Sequence, residues 1–369
     1  MIKEKKIIFC IDSLEKGGAQ RVISVLSNEF CKENEVYIIT LFKVDIEYNF
    51  DDRIKVIQMD SNKKNIFSYI RKIKYMKKVI NDIKPDIIIS FLIKSSMFSG
   101  LGKGRYKLII SDRNDPKEEY KRKLHFFCMK NTYKKANGFV FQTEDAKRYF
   151  ERIFDFSKYY NEIIFNPVDS KFENNVSSRE RKNIIVSIGR LTAQKNFKLL
   201  IDSFYKIKDE IPQYNLKIYG KGELHDELER YIEYKGLKER VTLQGVSNNI
   251  QNVLLESKIY VLSSDYEGMP NTLVEAMTIG TPVIATDCPC GGPRMLIKNG
   301  ENGLLVPVNE SDALSRAILK LSQDEKMMEK FSIEGKKIIE YVRKDVIVEK
   351  WSNFIQTIIN DGENKWRVF

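Results

Sequence analysis

The 369-residue sequence predicts two doubly wound α/β domains in tandem. Three observations predict them. Short apolar runs alternate with amphipathic helical stretches along the chain. The alternation breaks once, at 166–183, where Asn, Ser and charged residues replace the apolar pattern. The length suits two domains of ~100–200 residues each, and a hydrophobic content of 42% is ample for two cores.

The elements follow in order. In the first half, Lys6–Ile11, Val36–Leu41, Lys55–Met59, Asp86–Phe91, Lys107–Ser111, Gly138–Gln142 and Ile163–Phe165 read as strands of a parallel sheet. Gly17-Gly18 follows the first of them and precedes a helical pattern through Val22, Ile23, Leu26 and Phe30. Strand, glycine loop, helix is a phosphate-cradling order, although the pair of glycines alone falls short of a dinucleotide fingerprint. In the second half, strands are predicted at Ile184–Ile188, Leu216–Tyr219, Val241–Leu243, Ile259–Leu262, Val283–Ala285 and Gly303–Val306. Helices are expected between them at 196–210, 223–235, 248–256, 271–279 and 310–322, and then at 325–340 and 346–360. Two such domains leave a cleft between the carboxyl ends of their sheets, where open α/β sheets bind ligands.

Charge is uneven. Residues 1–170 carry 33 basic and 23 acidic side chains, against 29 and 28 in the remainder. That surplus points to an anionic partner for the first half. Two segments concentrate it. In 65–83, Ile66, Ile70, Ile73, Met76, Ile80 and Ile83 repeat at helical spacing amid Lys63, Lys64, Arg71, Lys72, Lys74, Lys77 and Lys78, with Phe67, Tyr69 and Tyr75 as interfacial aromatics. In 117–135, Leu124, Phe126, Phe127 and Met129 are surrounded by Lys117, Lys121, Arg122, Lys123, Lys130, Lys134 and Lys135. Each stripe is expected to pack on the sheet, leaving a basic face for an anionic membrane. No nucleic-acid recognition motif accompanies the charge. No apolar run approaches the ~20 residues that span a bilayer, and no secretory signal is visible. The five cysteines form no ligand or disulfide framework, Cys288-Pro-Cys290 included, so free thiols and no metal are expected.

The most informative stretch is 263–286. Glu267-Gly268-Met269-Pro270 makes a turn between the strand Ile259–Leu262 and a helix holding Glu275. Two carboxylates beside a helix N-terminus point to hydroxyl and phosphate recognition. Arg190 and Lys195 follow the first strand of the second domain, where a guanidinium fork and an ammonium suit a diphosphate.

Gly17-Gly18-Ala19-Gln20, Gly189-Arg190-Leu191 with Lys195-Asn196, Gly220-Lys221-Gly222-Glu223-Leu224, Glu267-Gly268-Met269-Pro270 with Glu275-Ala276, and Asn302-Gly303-Leu304-Leu305-Val306 together resemble the retaining glycosyltransferases of family 4. The resemblance spans nearly the whole chain and implies the GT-B fold. It implies an N-terminal acceptor domain over 1–165, a linker over 166–182, a nucleotide-sugar donor domain over 183–345, and a C-terminal segment 346–369 packing back on the first domain. Arg190 and Lys195 would contact the donor diphosphate, Glu275 the ribose hydroxyls, and Glu267 the donor sugar. Arg190, Lys195 and Glu267 form the implied catalytic set. Gly17, Gly18, Gly245, Val246, Gly268, Met269, Pro270, Asn271, Thr272, Leu273 and Glu275 would bind the donor, with Gly245-Val246 at the base. Asp112 and Arg113 occupy the loop where many relatives carry a histidine, and would meet the acceptor or the donor sugar.

The expected reaction is metal- and cofactor-independent, retaining transfer of a hexose or N-acetylhexosamine, with UDP the favoured nucleotide. The acceptor would be a glycan hydroxyl, lipid-linked, at the inner face of the cytoplasmic membrane, in capsule, O-antigen or glycan-precursor synthesis. A sugar-nucleotide epimerase of the same fold and a non-enzymatic module for anionic ligands are the competing readings.

Overall fold

The computed structural model describes residues 2–15, 17–59, 66–100, 106–121, 123–173 and 180–364. Two units make up the chain: Met1–Pro167 with Lys344–Phe369, and Val168–Arg343.

The first unit holds a seven-stranded parallel sheet. Its strands are β1 (Lys6–Ile11), β2 (Glu35–Thr40), β3 (Lys55–Gln58), β4 (Ile87–Phe91), β5 (Lys107–Ser111), β6 (Gly138–Phe141) and β7 (Tyr160–Ile163), in the order β3-β2-β1-β4-β5-β6-β7. The second unit holds β8 (Lys182–Ile188), β9 (Asn215–Tyr219), β10 (Val241–Leu243), β11 (Ser257–Leu262), β12 (Val283–Thr286) and β13 (Leu304–Val306), in the order β10-β9-β8-β11-β12-β13. Every strand pair is parallel. The order reverses between β1 and β4 and again between β8 and β11, so each unit has the switch point where doubly wound sheets bind ligands. Central strands such as β4 are buried on both faces, which is why they read as unbroken apolar runs. The last strand of the first sheet differs from expectation. It is Tyr160–Ile163, not Ile163–Phe165, because pairing with β6 sets Gly138 opposite Tyr160 and Phe141 opposite Ile163.

The helix Lys344–Asn364 belongs to the first unit. Its Ile347, Val348, Trp351, Phe354, Ile355 and Ile358 join Phe9, Phe30, Phe91 and Ile109 in one core. Ser352 Oγ accepts from the Ile2 amide at 3.1 Å, and Lys344 pairs with Glu29 at 2.9 Å. The second core gathers Leu200, Phe204, Ile218, Val261, Ile284, Ile318 and Phe331. Between the two sheets' strands, the stretch expected as linker carries order at both ends. Asn166 is buried, Ser170–Phe172 forms a 3-10 turn with Phe172 inside, and β8 begins at Lys182. Residues 174–179 lie outside the described residues.

Both basic segments differ from their predicted faces. The helix Ile66–Ile83 buries Ser68, Lys72, Met76, Val79, Ile80 and Ile83, while Ile70 is 45% exposed. Lys72 rotates the face: its ammonium sits 3.9 Å from the Phe42 ring centroid, with its stem inside. Lys72 is therefore not part of the solvent-facing charge, which among the described residues is carried there by Arg71, Lys74 and Lys78, with Lys77 half-buried. Lys63, Lys64 and the side chains of Ile66, Phe67 and Tyr69 lie outside the described residues. The second segment is two helices, Pro116–Glu119 and Lys123–Tyr133. Asp115 caps the first by accepting from the Lys117 amide, with Pro116 in its first turn. Met129 is buried as expected, but Phe127 is 65% exposed. Arg122 and the Leu124 side chain lie outside the described residues. No helix among the described residues is long and apolar enough to cross a membrane.

Candidate active site

In the second unit the chemistry gathers where β8 and β11 end. After β8, a 3-10 turn over Ala193–Lys195 leads to Asn196, which takes a left-handed conformation (φ 44°) and caps the helix Phe197–Ile207. Asparagine tolerates that backbone better than most side chains. Its side chain also donates to Asp265 at 2.7 Å and to Asn309 at 2.8 Å. After β11, Ser263 Oγ donates to the Lys195 carbonyl, the Asp265 amide donates to the Gln194 carbonyl, and Gln194 Nε2 donates to the Tyr266 carbonyl, each at 2.9 Å. The two loops are thus stitched together by their backbones.

The stitching sets one contact. Lys195 Nζ lies 2.5 Å from Glu267 Oε1, with the two side chains only 16% and 9% exposed. Ser264 Oγ donates to the same oxygen at 2.7 Å. On its far side, the Glu267 amide donates to Pro289 O at 2.6 Å and its carbonyl accepts from the Cys290 amide at 2.9 Å. The 288–292 turn comes so close that a Cβ on Gly292 would fall 1.7 Å from Gly268 O, so only glycine fits. Burial pushes the neighbouring Cys288 thiol up to about 12.

The helix Asn271–Thr278 begins here, and Glu275 is buried within it. Two residues expected to contact the donor have partners inside the protein. Leu273 is fully buried and its amide donates to Pro270 O at 3.0 Å, so neither its side chain nor its N–H is open to a ligand. The Thr272 hydroxyl bonds Tyr260 OH at 2.7 Å. Arg190 is exposed and has no ion pair among the described residues. Gly245, left-handed at φ 66°, hands its carbonyl to the Gly220 amide, and Val246 beside it is 55% exposed, an open apolar surface that a flat base could cover.

In the first unit, the loops after β1, β4 and β5 line a cavity of about 190 Å³ with Asp12, Lys94, Asp112, Arg113, Asn114, Glu119 and Tyr120. Asp112 and Arg113 do reach it; the Asp112 carboxylate is bonded inside the protein, whereas Arg113 Nε and Nη2 are buried with no hydrogen-bond partner among the described residues. The Asp112 carboxylate accepts from Tyr133 OH at 2.7 Å and from Tyr120 OH at 2.8 Å. Burial holds it up at about 6, outweighing those two hydrogen bonds. Arg113 lies 4.6 Å from the Phe91 ring centroid and 5.7 Å from that of Trp351, and donates to Asn166 at 2.8 Å. Burial lowers it to about 9. Both are thus parts of the cavity wall. Asp12, Lys94, Asn114 and Glu119 are the polar groups that sequence reasoning missed there. The one available signal was an acid directly after the first strand. Gly17 has both backbone groups on Tyr48: its amide donates to Tyr48 OH at 3.0 Å and its carbonyl accepts from Tyr48 OH at 2.8 Å. Gly18 opens the helix Gly18–Phe30.

Comparison with known proteins decides the family. The model for glycosyl transferases group 1 matches residues 169–338, and that for glycosyl transferase 4-like proteins matches residues 19–143. The chain is a GT4-type glycosyltransferase. It is 28% identical over 365 residues to a Campylobacter jejuni GalNAc-alpha-(1->4)-GalNAc-alpha-(1->3)-diNAcBac-PP-undecaprenol alpha-1,4-N-acetyl-D-galactosaminyltransferase, covering 96% of this chain and 99% of the relative. It is 26% identical over 366 residues to the amylovoran biosynthesis glycosyltransferase AmsD of Erwinia amylovora, covering 95% and 99%. A structure of Anabaena HepE in complex with UDP superimposes with a TM-score of 0.79 at 17% identity, over 95% of this chain and 100% of that one. At that identity the likeness speaks for the fold. The glycosyltransferase has two Rossmann-like units of the GT-B class.

Proposed function

We propose that this glycosyltransferase moves a hexose or N-acetylhexosamine, with retention and without a metal, from a UDP-sugar to a hydroxyl of a lipid-linked glycan. The observation that carries the donor assignment is the Lys195–Glu267 pair, held by two loops beside the N-terminus of the helix Asn271–Thr278. Lys195 and Arg190 supply positive charge for a diphosphate, and the helix terminus adds N–H groups. Glu267 accepts from sugar hydroxyls, Glu275 from the ribose, and the Gly245–Val246 turn takes the base. Gly268, Met269, Pro270 and Asn271 complete the donor contacts within the second unit.

In the proposed reaction the acceptor hydroxyl attacks the anomeric carbon on the face from which UDP leaves. The C–O bond to the acceptor forms as the bond to the β-phosphate oxygen breaks. The hydroxyl proton passes to a departing phosphate oxygen, and Arg190 and Lys195 stabilise the charge that develops. The cavity bounded by Asp12, Lys94, Asn114 and Glu119 is the proposed place for the acceptor sugar. The relatives' names include an undecaprenyl diphosphate acceptor, and the exposed Ile70, Arg71, Lys74, Tyr75 and Lys78 give this chain an anionic-membrane face.

A thermal-shift panel of UDP, GDP and their sugars tests the donor. A ligand bound by the native state alone raises Tm, and UDP compounds are expected to do so. A panel in which no UDP compound shifts Tm overturns the reading. For the membrane, sedimentation with anionic liposomes is expected to fall with salt and with Lys74→Glu/Lys78→Glu. Binding indifferent to both removes that part.

A further inference from the structure

We infer that Ser264 is a positioning residue that assigns the two oxygens of Glu267 separate tasks, one to the protein and one to the donor sugar. The inference rests on the donor-site reading above and adds a residue to it. A carboxylate oxygen offers about two lone-pair directions. At Glu267 Oε1 both have a donor: Lys195 Nζ at 2.5 Å and Ser264 Oγ at 2.7 Å. Oε2 has no hydrogen-bond partner among the described residues. One anchor alone would let the carboxylate swing about its last bond and present either oxygen. Two anchors on one oxygen fix the plane, and the other oxygen is left pointing at whatever enters.

Ser264 is placed to hold this arrangement. It is fully buried, and its carbonyl accepts from Thr286 Oγ1 at 2.5 Å, which ties it to β12. The Glu267 backbone is fixed independently by the Pro289 carbonyl and the Cys290 amide. Lys195 is fixed through its own carbonyl by Ser263. The hydroxyl of Ser264 therefore adds little to the backbone course and acts on the carboxylate. It also supplies a neutral donor. When a diphosphate draws the Lys195 ammonium toward itself, Ser264 still holds Oε1, so Glu267 keeps its aim during turnover.

The test is Ser264→Ala, with Ser264→Thr to restore the hydroxyl. The probes are UDP, UDP-glucose, UDP-galactose, UDP-N-acetylglucosamine and UDP-N-acetylgalactosamine, read by Kd from thermal shift or calorimetry. For wild type, the affinity gained by adding the favoured sugar to UDP is the reference. Ser264→Ala is expected to keep UDP affinity within about twofold while losing about tenfold of the sugar-dependent part, the scale of a hydrogen bond to a charged group. Ser264→Thr is expected to recover it. An unchanged sugar increment in Ser264→Ala overturns the inference. So does equal loss of UDP and UDP-sugar affinity that Ser264→Thr fails to rescue, which marks Ser264 as packing only. Wild type that ignores every UDP compound defeats the donor-site reading itself, a separate and visible failure.

Discussion

The two ligand-facing regions spend their charges differently. In the second unit, Lys195 and Glu267 pair with each other at the end of stitched loops, and Arg190 stands free in solvent. In the first unit, Asp112 is held from behind by two phenols, and Arg113 packs on two aromatic rings with one nitrogen on Asn166 and its Nε and Nη2 buried without a hydrogen-bond partner among the described residues. Charge at a strand end is therefore two things. Where neighbours are backbone and small hydroxyls, it is available for a ligand. Where neighbours are aromatic, it is part of the core.

The sharpest way to break that contrast is to truncate one charge from each side. Lys195→Ala is expected to lower kcat about 10²–10³-fold, the scale for removing a group that stabilises developing charge. Near-wild-type turnover at saturating donor would make Lys195 a structural partner of Glu267. Arg113→Ala is expected to act on the fold instead. Loss of its cation–π contacts and of its hydrogen bond to Asn166 should cost about 1–3 kcal/mol of stability, seen in urea denaturation, with UDP affinity retained. Unaltered stability would place Arg113 among the ligand groups.

Asp112 sharpens the same contrast through pH. Its folded pKa is raised to about 6 by burial, with Tyr120, Tyr133, Glu119 and Arg113 as its polar surroundings. A raised carboxyl contributes stability that is full below its unfolded value and is lost as pH rises through about 6. Wild type should therefore gain in Tm relative to Asp112→Asn as pH falls from 7.5 to 5. A difference that stays flat would mean the carboxylate is already open to water. The smallest effect is expected from Val246→Ala. Removing part of an exposed apolar surface should weaken UDP binding by less than about tenfold. No change in UDP affinity would remove Val246 from the base site.

These contrasts also explain what could be read in advance. Strands such as β4 and β11 announce themselves because both faces are apolar. The pair Glu267 and Glu275 announces itself because strand, turn and helix follow within a few residues. Partners far apart in sequence do not. Nothing near Arg113 names Phe91, Asn166 or Trp351, and nothing near Asp112 names Tyr133. Lys72 reads as surface charge because its partner, Phe42, lies far away in the sequence, in the bend after β2, and that one burial turns the face of the helix Ile66–Ile83. Ser264 was hidden for the opposite reason. A serine beside a serine carries no sequence signal until Glu267 Oε1 is seen 2.7 Å away.

The helix Lys344–Asn364 has a consequence for how the protein is made. Its side chains complete the core of a unit whose other residues end at Pro167. On a ribosome, the 176 residues from Val168 to Arg343 must be synthesised in between. At about 5–20 residues per second that is a wait of about 9–35 s. During it, the groove meant for Trp351 and its neighbours stays open, a standing demand on chaperones. A fragment ending at Pro167 is expected to be insoluble until a peptide spanning 344–364 is supplied in trans. A fragment that is soluble and cooperatively folded alone would show that the first unit closes its core early.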